Sequence, residues 1–337
     1  MSDRDVLQVR NLRKLFPVGG NGLLRKPVAF VHAVDDLSFD LHSGEVLAVV
    51  GESGCGKSTL VLTLLGMEPA TAGSIRFAGE EVTQLDNAGQ KRMRRQVQMI
   101  FQDPYESLNP LMTIGETVAE PLLVHGLVPN RAERRQRVYK ALEDAGLKPA
   151  ENFIDRRPHE LSGGQRQRVV IAGALVLEPT LLLADEPVSM LDVSIRAEIL
   201  NLLNDLRRDR GISIIFITHD LNTVASIADR IAVMYLGRIV EIGPTPQVLR
   251  NPQHPYTKAL LSVAPVPNPR LRREHIILQG ETPDPIDLPT GCRFHPRCPV
   301  AIGRCKSIDP VLAPVAESST NGVDRDEHQA ACILVET

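Results

Sequence analysis

The chain has 337 residues, of which 43% are hydrophobic, and a formal net charge of -3. Such a balance offers no basic surface for nucleic-acid phosphates, so we expect no nucleic-acid partner. Apolar runs fall short of the roughly 18 to 20 residues of a membrane-spanning helix, and the acidic opening from Met1 to Asp5 is unlike a secretion signal. We therefore expect a globular protein that stays in the cytoplasm, with a length that favours two domains.

Residues from about 6 to 243 alternate β-branched apolar runs with amphipathic stretches. This pattern is typical of an α/β fold with a mainly parallel sheet, and it predicts buried strands at 45–50, 180–185 and 212–218. Because crossover connections are right-handed, we expect these strands to end at one edge of the sheet. A crossover helix before the last strand is predicted from the apolar residues Ile195, Ile199, Leu202, Leu203 and Leu206.

The first strand leads into a loop, Gly51 to Ser58, that fits G-x-x-x-x-G-K-[ST] at every fixed position. A helix is predicted directly after it, from Lys57 to Leu65. Such a loop turns N–H groups toward nucleotide phosphates, while its lysine adds positive charge and its hydroxyl can bind magnesium. The predicted ATP-binding residues of this loop are Gly51, Ser53, Gly54, Cys55, Gly56, Lys57, Ser58 and Thr59.

Cys55 occupies a loop position that has no fixed identity in this motif. Another small residue would serve the geometry, so the thiol could be inert packing. Alternatively, the inward N–H dipoles could favour its thiolate.

Residues from about 88 to 178 carry Arg-rich amphipathic stretches, such as 131–145, and proline turns, which we interpret as a helical insertion. Within it, the run Leu161 to Gln165 predicts a helix that starts near Gln165 and ends near Leu177. Its N-terminus exposes N–H groups that can bind an anion. Two anion-binding helix ends far apart in one chain suggest that each completes a site in a partner.

Polar residues follow the second and third strands. Asp185 could hold magnesium and Glu186 could polarise an attacking water, although such a pair could equally cap a helix. The phosphate loop upstream favours the catalytic interpretation. His219, after the third strand, would by itself be a histidine with local hydrogen bonds only.

The run Leu161-Ser162-Gly163-Gly164-Gln165 resembles the signature motif of the ABC ATPase family. The resemblance implies a RecA-like P-loop core with a mainly parallel sheet, an antiparallel β subdomain and an inserted helical subdomain. It also implies a head-to-tail dimer in which the signature residues Ser162, Gly163, Gly164 and Gln165 reach ATP bound by the other chain.

Other positions match the family's motifs one by one. Gln102 is similar to the Q-loop glutamine, which contacts magnesium and links to membrane subunits, and the resemblance implies that Ser58, Gln102 and Asp185 hold Mg²⁺. It makes Glu186 the general base and His219 the switch histidine at the γ-phosphate. Phe16 stands where the family places an aromatic ring against adenine, although a buried core phenylalanine fits the sequence nearly as well.

After Gly243, prolines mark a linker that precedes a cysteine-rich end. Without a secretion signal, its cysteines favour thiol or metal chemistry over disulfides. Four thiolates could hold zinc or an iron–sulfur cluster, and the residues alone leave both open, with His295 and His328 as further zinc ligands. The four cysteines are Cys292, Cys298, Cys305 and Cys332.

This segment resembles the C-terminal domain of the oligopeptide and dipeptide importer ATPases, as do 251–257, Ser107 to Pro110 and the insertion from Pro17 to Val31. The resemblance implies a nucleotide-binding domain at 1–250, with its helical subdomain at about 88–178, and a C-terminal domain at 251–337. It also implies a structural [4Fe-4S] cluster on the four cysteines.

The same resemblance implies a peripheral ATPase at the cytoplasmic face of the membrane. Its expected partners are a second, related ATPase subunit rather than a second copy, two transmembrane permease subunits and, indirectly, an extracellular solute-binding protein. Peptides are the expected cargo, with oligosaccharides or nickel as alternatives. A soluble ABC protein of DNA repair or translation would carry a coiled coil or a second cassette, and a P-loop kinase needs no signature motif.

Overall fold

The computed structural model describes residues 5–19, 27–264, 275–315 and 328–335. The chain divides into two compact units, which are described separately below. Of the described residues, the first contains 5–6, 42–45 and 84–217, and the second contains 7–19, 27–41, 46–83, 218–264, 275–315 and 328–335. Residues 1–4 of the acidic opening and the linker prolines Pro265, Pro267 and Pro269 fall outside the described residues.

Secondary structure covers most of the described residues. The strands are β1 Asp5–Val18, β2 Ala29–His42, β3 Val46–Val50, β4 Ala72–Phe77, β5 Glu80–Glu81, β6 Val97–Ile100, β7 Leu181–Asp185, β8 Ser213–Thr218, β9 Arg230–Tyr235, β10 Arg238–Pro244, β11 Ala313–Pro314 and β12 Gln329–Ala330. The α-helices are α1 Lys57–Leu64, α2 Asn87–Gln96, α3 Pro104–Ser107, α4 Ile114–Val124, α5 Arg131–Asp144, α6 Gly163–Leu175, α7 Val193–Arg210, α8 Leu221–Ile227, α9 Thr245–Arg250 and α10 Pro255–Val263. Single 3-10 turns lie at Ala150–Asn152, Pro158–Glu160 and Gly303–Lys306. Within the described ranges, no helix is both long and apolar enough to cross a membrane.

In the first unit, β6, β7 and β8 form a parallel sheet in which Asp185 pairs with Ile217. All residues of β7 and β8 are buried, as expected of strands covered on both faces. The helix α7 connects these two strands, and it buries Ile199, Leu203 and Leu206. The predicted crossover helix is therefore confirmed.

The helical region of the first unit differs in one respect from the prediction. The segment 88–178 contains most of α2 and all of α3 to α6, but it also contains β6, which pairs with β7 as part of the sheet. A four-residue strand beside an Arg-rich helix is too short to show a period of its own. The inserted helices therefore follow Ile100. Their fully buried residues include Ile114, Val118, Leu122, Leu142 and Val169.

The second unit contains two sheets. One has the strand order β2-β1-β4-β5, with β4 antiparallel to both of its neighbours, and it corresponds to the expected antiparallel subdomain. In the other, β3 pairs in parallel with β9, and antiparallel pairs then join β9 to β10, β10 to β12 and β12 to β11. The phosphate-loop strand β3 and the C-terminal strand β12 thus belong to one sheet.

The described C-terminal residues pack on the strands of this second unit. The rings of Tyr235, Tyr256 and Phe294 have centroids 4.7, 5.2 and 5.4 Å apart, and all three side chains are fully buried. Since Tyr235 ends β9 and Phe294 lies between two cysteines, this cluster joins the cysteine segment to the core. An independent domain at 251–337 stays a prediction.

A buried carboxylate fixes the end of the chain. Glu241 in β10 has no exposed surface, and its oxygens accept hydrogen bonds from the backbone N–H groups of Gln253 and His254, at 2.7 and 2.9 Å. The third donor is Nε2 of His328, at 2.6 Å. Three segments distant in sequence therefore meet at one side chain.

We predict that Glu241→Ala lowers the free energy of unfolding by about 3 kcal/mol, because it leaves buried donors without an acceptor. Denaturant unfolding followed by circular dichroism measures the change. As a control, Asp205→Ala removes an exposed ion pair with Arg208 and should cost less than about 0.5 kcal/mol. Equal effects of the two substitutions would contradict this role of Glu241.

Candidate nucleotide site

The phosphate loop lies between β3 and α1 in the second unit. Gly56 has φ +107°, and a Cβ there would collide with the carbonyl oxygen of Ala33. Only glycine fits both the backbone conformation and the space. Because α1 begins at Lys57, the first N–H groups of the helix have no partner within it and face the loop's end.

The loop is held closed by its own lysine and by a tyrosine. Nζ of Lys57 donates to the carbonyl oxygens of Gly51 and Glu52, at 2.8 and 2.9 Å. The N–H of Glu52 donates to the hydroxyl oxygen of Tyr256, at 2.9 Å. Burial raises the pKa of Tyr256, so this hydroxyl stays protonated. The loop is thus fixed from both sides.

The first unit contains the predicted catalytic carboxylates. Asp185 ends β7 and is buried, while Gln102 follows β6 and donates from Nε2 to Oε2 of Glu186, at 3.2 Å. Glu186 has φ +45°, a left-handed conformation that costs a non-glycine residue roughly 1 to 2 kcal/mol. Its N–H is bound by the carbonyl of Ile217, at 3.0 Å. Neighbouring strands therefore hold Glu186 beside Gln102.

The signature motif starts a helix, as predicted. Ser162 is the N-cap of α6, and its Oγ accepts from the N–H of Gln165 at 3.3 Å, while Oε1 of Gln165 accepts from the N–H of Ser162 at 3.0 Å. This capping box makes the helix begin at Gly163, two residues before the predicted start. A Cβ at Gly164 would lie too close to Ile195, so glycine also permits tight packing on α7.

The predicted ATP-site residues are divided between the two units. Gln102, Asp185, Glu186 and the signature belong to the first, whereas the phosphate loop, Phe16 and His219 belong to the second. Phe16 is only partly buried, and Nζ of Lys14 lies 4.5 Å from its ring centroid, so it is not a core phenylalanine. Roles for these residues toward ATP stay predictions.

The structure opposes the idea of a thiolate at Cys55. Burial raises the pKa of the Cys55 thiol, and the nearby Lys57 ammonium offsets this effect only in part. Nζ of Lys57 lies 3.8 Å from Sγ. Cys55 is therefore a neutral, packed thiol at neutral pH.

The four C-terminal cysteines come together in the second unit. The N–H of Cys292 donates to the carbonyl of Cys305 at 2.9 Å, and all four are free thiols. Burial raises the pKa of Cys292 to about 11; the backbone N–H of Phe294 opposes this effect, and the other three thiols add to it. In the described ranges, however, no three His, Cys, Asp or Glu side chains are placed to hold a metal. His328, considered above for zinc, is instead bound to Glu241.

Sequence reasoning missed the arginines between the first two cysteines. Arg293 pairs with Asp35 and donates to the carbonyl of Leu236 at 2.5 Å. Burial opposes ionisation of Asp35, but Arg293, together with His32 and Arg238, lowers the pKa of that carboxyl. Arg297 donates to Glu52 in the phosphate loop at 2.9 Å. Two arginines at four-residue spacing within a cysteine segment were the available signal.

Comparisons with known proteins show the family of the chain. Residues 34–189 match the ABC transporter family, and residues 240–305 match the oligopeptide/dipeptide transporter C-terminal region. The dipeptide transport ATP-binding protein DppF of Haemophilus influenzae is 48% identical over 317 residues, which cover 94% of each chain. The oligopeptide transport ATP-binding protein OppF of Escherichia coli is 47% identical over 310 residues, covering 91% of this chain and 92% of that protein.

Two solved structures share the fold. The ATP-binding cassette MJ0796, a post-hydrolysis dimer bound to ADP and Pi, is 29% identical with a TM-score of 0.63 and covers 71% of this chain and 98% of that chain. CbiO1 from Clostridium perfringens, part of the ABC transporter complex cbiONQ, is 31% identical with a TM-score of 0.63. The match covers 74% of this chain and 92% of that chain. The expected cassette fold is confirmed.

We predict that alkylation of Cys55 by iodoacetamide is slow at pH 7 and accelerates about tenfold per pH unit up to pH 9, because only the thiolate reacts. Peptide mass spectrometry measures the rate, and Cys55→Ser assigns the labelled peptide. A rate that levels off below pH 8 would show that the thiol ionises readily.

Proposed function

We infer the function of this chain from its family: it belongs to the ATP-binding proteins of oligopeptide and dipeptide ABC transporters. It is an ABC ATPase. We propose that it powers the import of dipeptides or oligopeptides. The support is that DppF and OppF, which it matches over 94% and 92% of their lengths, are named for dipeptide and oligopeptide transport. Oligosaccharides and nickel are the alternative cargoes.

ATP in this proposal binds to the phosphate loop, with Phe16 against the adenine and Lys57 at the phosphates. Ser58, Asp185 and Gln102 hold Mg²⁺, since hydroxyl, carboxylate and amide oxygens are ligands that this ion prefers. Bound magnesium supplies positive charge that neutralises the phosphates.

Hydrolysis in this proposal depends on Glu186, and the hydrogen bond from Gln102 is the observation that carries it. The carboxylate of Glu186 takes the proton of the attacking water, while Gln102 holds this carboxylate in one orientation. His219 donates a hydrogen bond to the γ-phosphate. Phosphoryl transfer is catalysed mainly by positioning and charge neutralisation, so each of these side chains serves to fix the reacting groups.

A second ATPase chain completes each site in this proposal. The capped N-terminus of α6, from Ser162 to Gln165, offers N–H groups to ATP bound by the other chain. MJ0796 was solved as a dimer of such cassettes, which supports this assembly. We propose a related second subunit rather than a second copy.

Two transmembrane permease subunits are the proposed partners beyond the cassettes. Large apolar side chains close to Gln102 in the sequence are exposed: Phe101 by 41%, Tyr105 by 58% and Leu111 by 76%. Such a surface favours contact with another protein. The chain would then work at the cytoplasmic face of the membrane, and the extracellular solute-binding protein would act on it only through the permeases.

We also propose that Cys292, Cys298, Cys305 and Cys332 hold a [4Fe-4S] cluster with a structural role, with zinc as the alternative. Neighbouring free thiols in a segment with little regular structure support the proposal, because thiolates are the usual ligands of such clusters. Their side chains would have to close on a common centre, since no three of those described are now placed for a metal.

We predict that the chain purified without oxygen contains about four iron and four sulfide atoms and absorbs broadly in the visible range. Cys305→Ser should lose the iron, whereas the control Cys55→Ser should keep it. Elemental analysis and absorption spectroscopy measure both. One zinc per chain without iron, or no metal at all, would refute the cluster.

We predict that Glu186→Gln binds ATP normally but lowers ATP turnover by about 10²- to 10⁴-fold, because the water loses its base. ATP hydrolysis and uptake of a labelled dipeptide are measured in vesicles containing the whole transporter. Glu198→Gln, which removes an exposed carboxylate paired with Arg168 at 2.8 Å, is the matched control and should work normally. Near-normal hydrolysis by Glu186→Gln would exclude Glu186 as the general base. Uptake of nickel or oligosaccharide without uptake of peptide would exclude peptides as the cargo.

A further inference from the structure

The phosphate loop contains a carboxylate that its chemistry does not call for. Glu52 lies between Gly51 and Ser53, in a loop whose N–H groups and lysine favour anions. A negative side chain there opposes the binding of a nucleotide that carries several negative charges, unless a cation neutralises it. The residues that surround Glu52 are therefore informative.

The cation comes from the cysteine segment. Nη1 of Arg297 donates to Oε1 and Oε2 of Glu52, at 3.2 and 2.9 Å, and Oγ1 of Thr282 donates to Oε2 at 2.8 Å. Nη1 also reaches Oγ1 of Thr282, at 3.2 Å. The side chain of Arg297 is 10% exposed and that of Glu52 is 28% exposed. A pair so shielded from water is screened less by salt than a surface pair.

The main chain of Glu52 is fixed at the same place. Its N–H is held by Tyr256 and its carbonyl by Lys57, so the backbone and the side chain of Glu52 are bound at the same time by different residues. A displacement of Arg297 that carried Glu52 with it would move the peptide groups that join Glu52 to Gly51 and Ser53. The position of the arginine is thus linked to the geometry of the loop.

We propose that Arg297 is a positioning residue for ATP binding, which neutralises and anchors Glu52 and thereby makes the cysteine segment part of the nucleotide site. This inference rests on the proposed ATP site. It implies reciprocity: ATP on the loop stabilises the segment that carries Arg297, and damage to that segment weakens ATP binding.

A second ion pair distinguishes the proposed role of Arg297 in ATP binding from a role that only attaches the cysteine segment to the rest of the unit. Arg238 and Asp309 form another ion pair between a strand of the second unit and the C-terminal segment, with both carboxylate oxygens 2.7 Å from Nη1. Among the described residues, the hydrogen bonds of this pair do not extend to the phosphate loop. Arg238→Gln is therefore the matched control for Arg297→Gln.

The test measures the affinity of the purified full chain for MgATP by competition with a fluorescent ATP analogue. Arg297→Gln should weaken binding about tenfold, because Glu52 is left as an unpaired charge near the phosphates. Glu52→Gln should bind at least as tightly as the unaltered chain, and the double variant should recover affinity to within about twofold, since the repulsion is gone. The affinity of Arg297→Lys should lie between those of Arg297→Gln and the unaltered chain, because lysine keeps the positive charge but lacks the planar guanidinium group with its several donors.

The reciprocal effect is measured by amide hydrogen exchange. MgATP should slow exchange at residues 292–298 in the unaltered chain and not in Glu52→Gln, in which the charged link is absent. Arg238→Gln should leave both the affinity and this protection unchanged.

Several results would overturn the proposal: unchanged affinity in Arg297→Gln, a loss that Glu52→Gln does not rescue, or an equal loss in Arg238→Gln. If Arg297→Gln does not fold, the MgATP affinity of Arg297→Lys and the hydrogen exchange of Glu52→Gln at residues 292–298 test the proposal instead. Failure of the unaltered chain to bind MgATP would instead contradict the proposed function itself.

Discussion

A loop can present several N–H groups to one phosphate only when its backbone is held in a conformation that it would not keep alone. In this chain Lys57 draws the carbonyls of Gly51 and Glu52 together, and Tyr256 accepts the N–H of Glu52 from the other side. Gly56 allows the turn because nothing larger fits beside Ala33. The loop therefore depends on distant segments of the second unit, since Tyr256 packs in an aromatic cluster with Tyr235 and Phe294.

The C-terminal residues contribute to that arrangement through charge as well as apolar contact. Arg293 pairs with Asp35, Arg297 pairs with Glu52, and Glu241 binds His328. Buried charged groups add little net stability, because removing them from water is costly. Each buried charged group does, however, require an oppositely charged or hydrogen-bonding partner at one position. The pairs therefore determine which segments of the chain contact each other. The cysteine segment is therefore held in one register on the sheet that carries the phosphate loop.

The first unit has a comparable constraint around Glu186. Its left-handed backbone is unfavourable for a glutamate, and it persists because the strand end at Ile217 binds its N–H while Gln102 binds its carboxylate. Strain of this kind at the end of a strand places a side chain outside the regular alternation of the sheet. The carboxylate is in this way directed by the backbone before any substrate binds.

The sequence by itself determined the phosphate loop, the signature helix, the crossover helix and the strands on which they depend, because contiguous residues encode each through spacing and period. It also indicated the family. Only the tertiary structure decided that β6 belongs to the sheet, that burial keeps the Cys55 thiol neutral, and that Arg297 meets Glu52, 245 positions away. These three depend on which distant surfaces pack together, and local patterns carry no record of that packing.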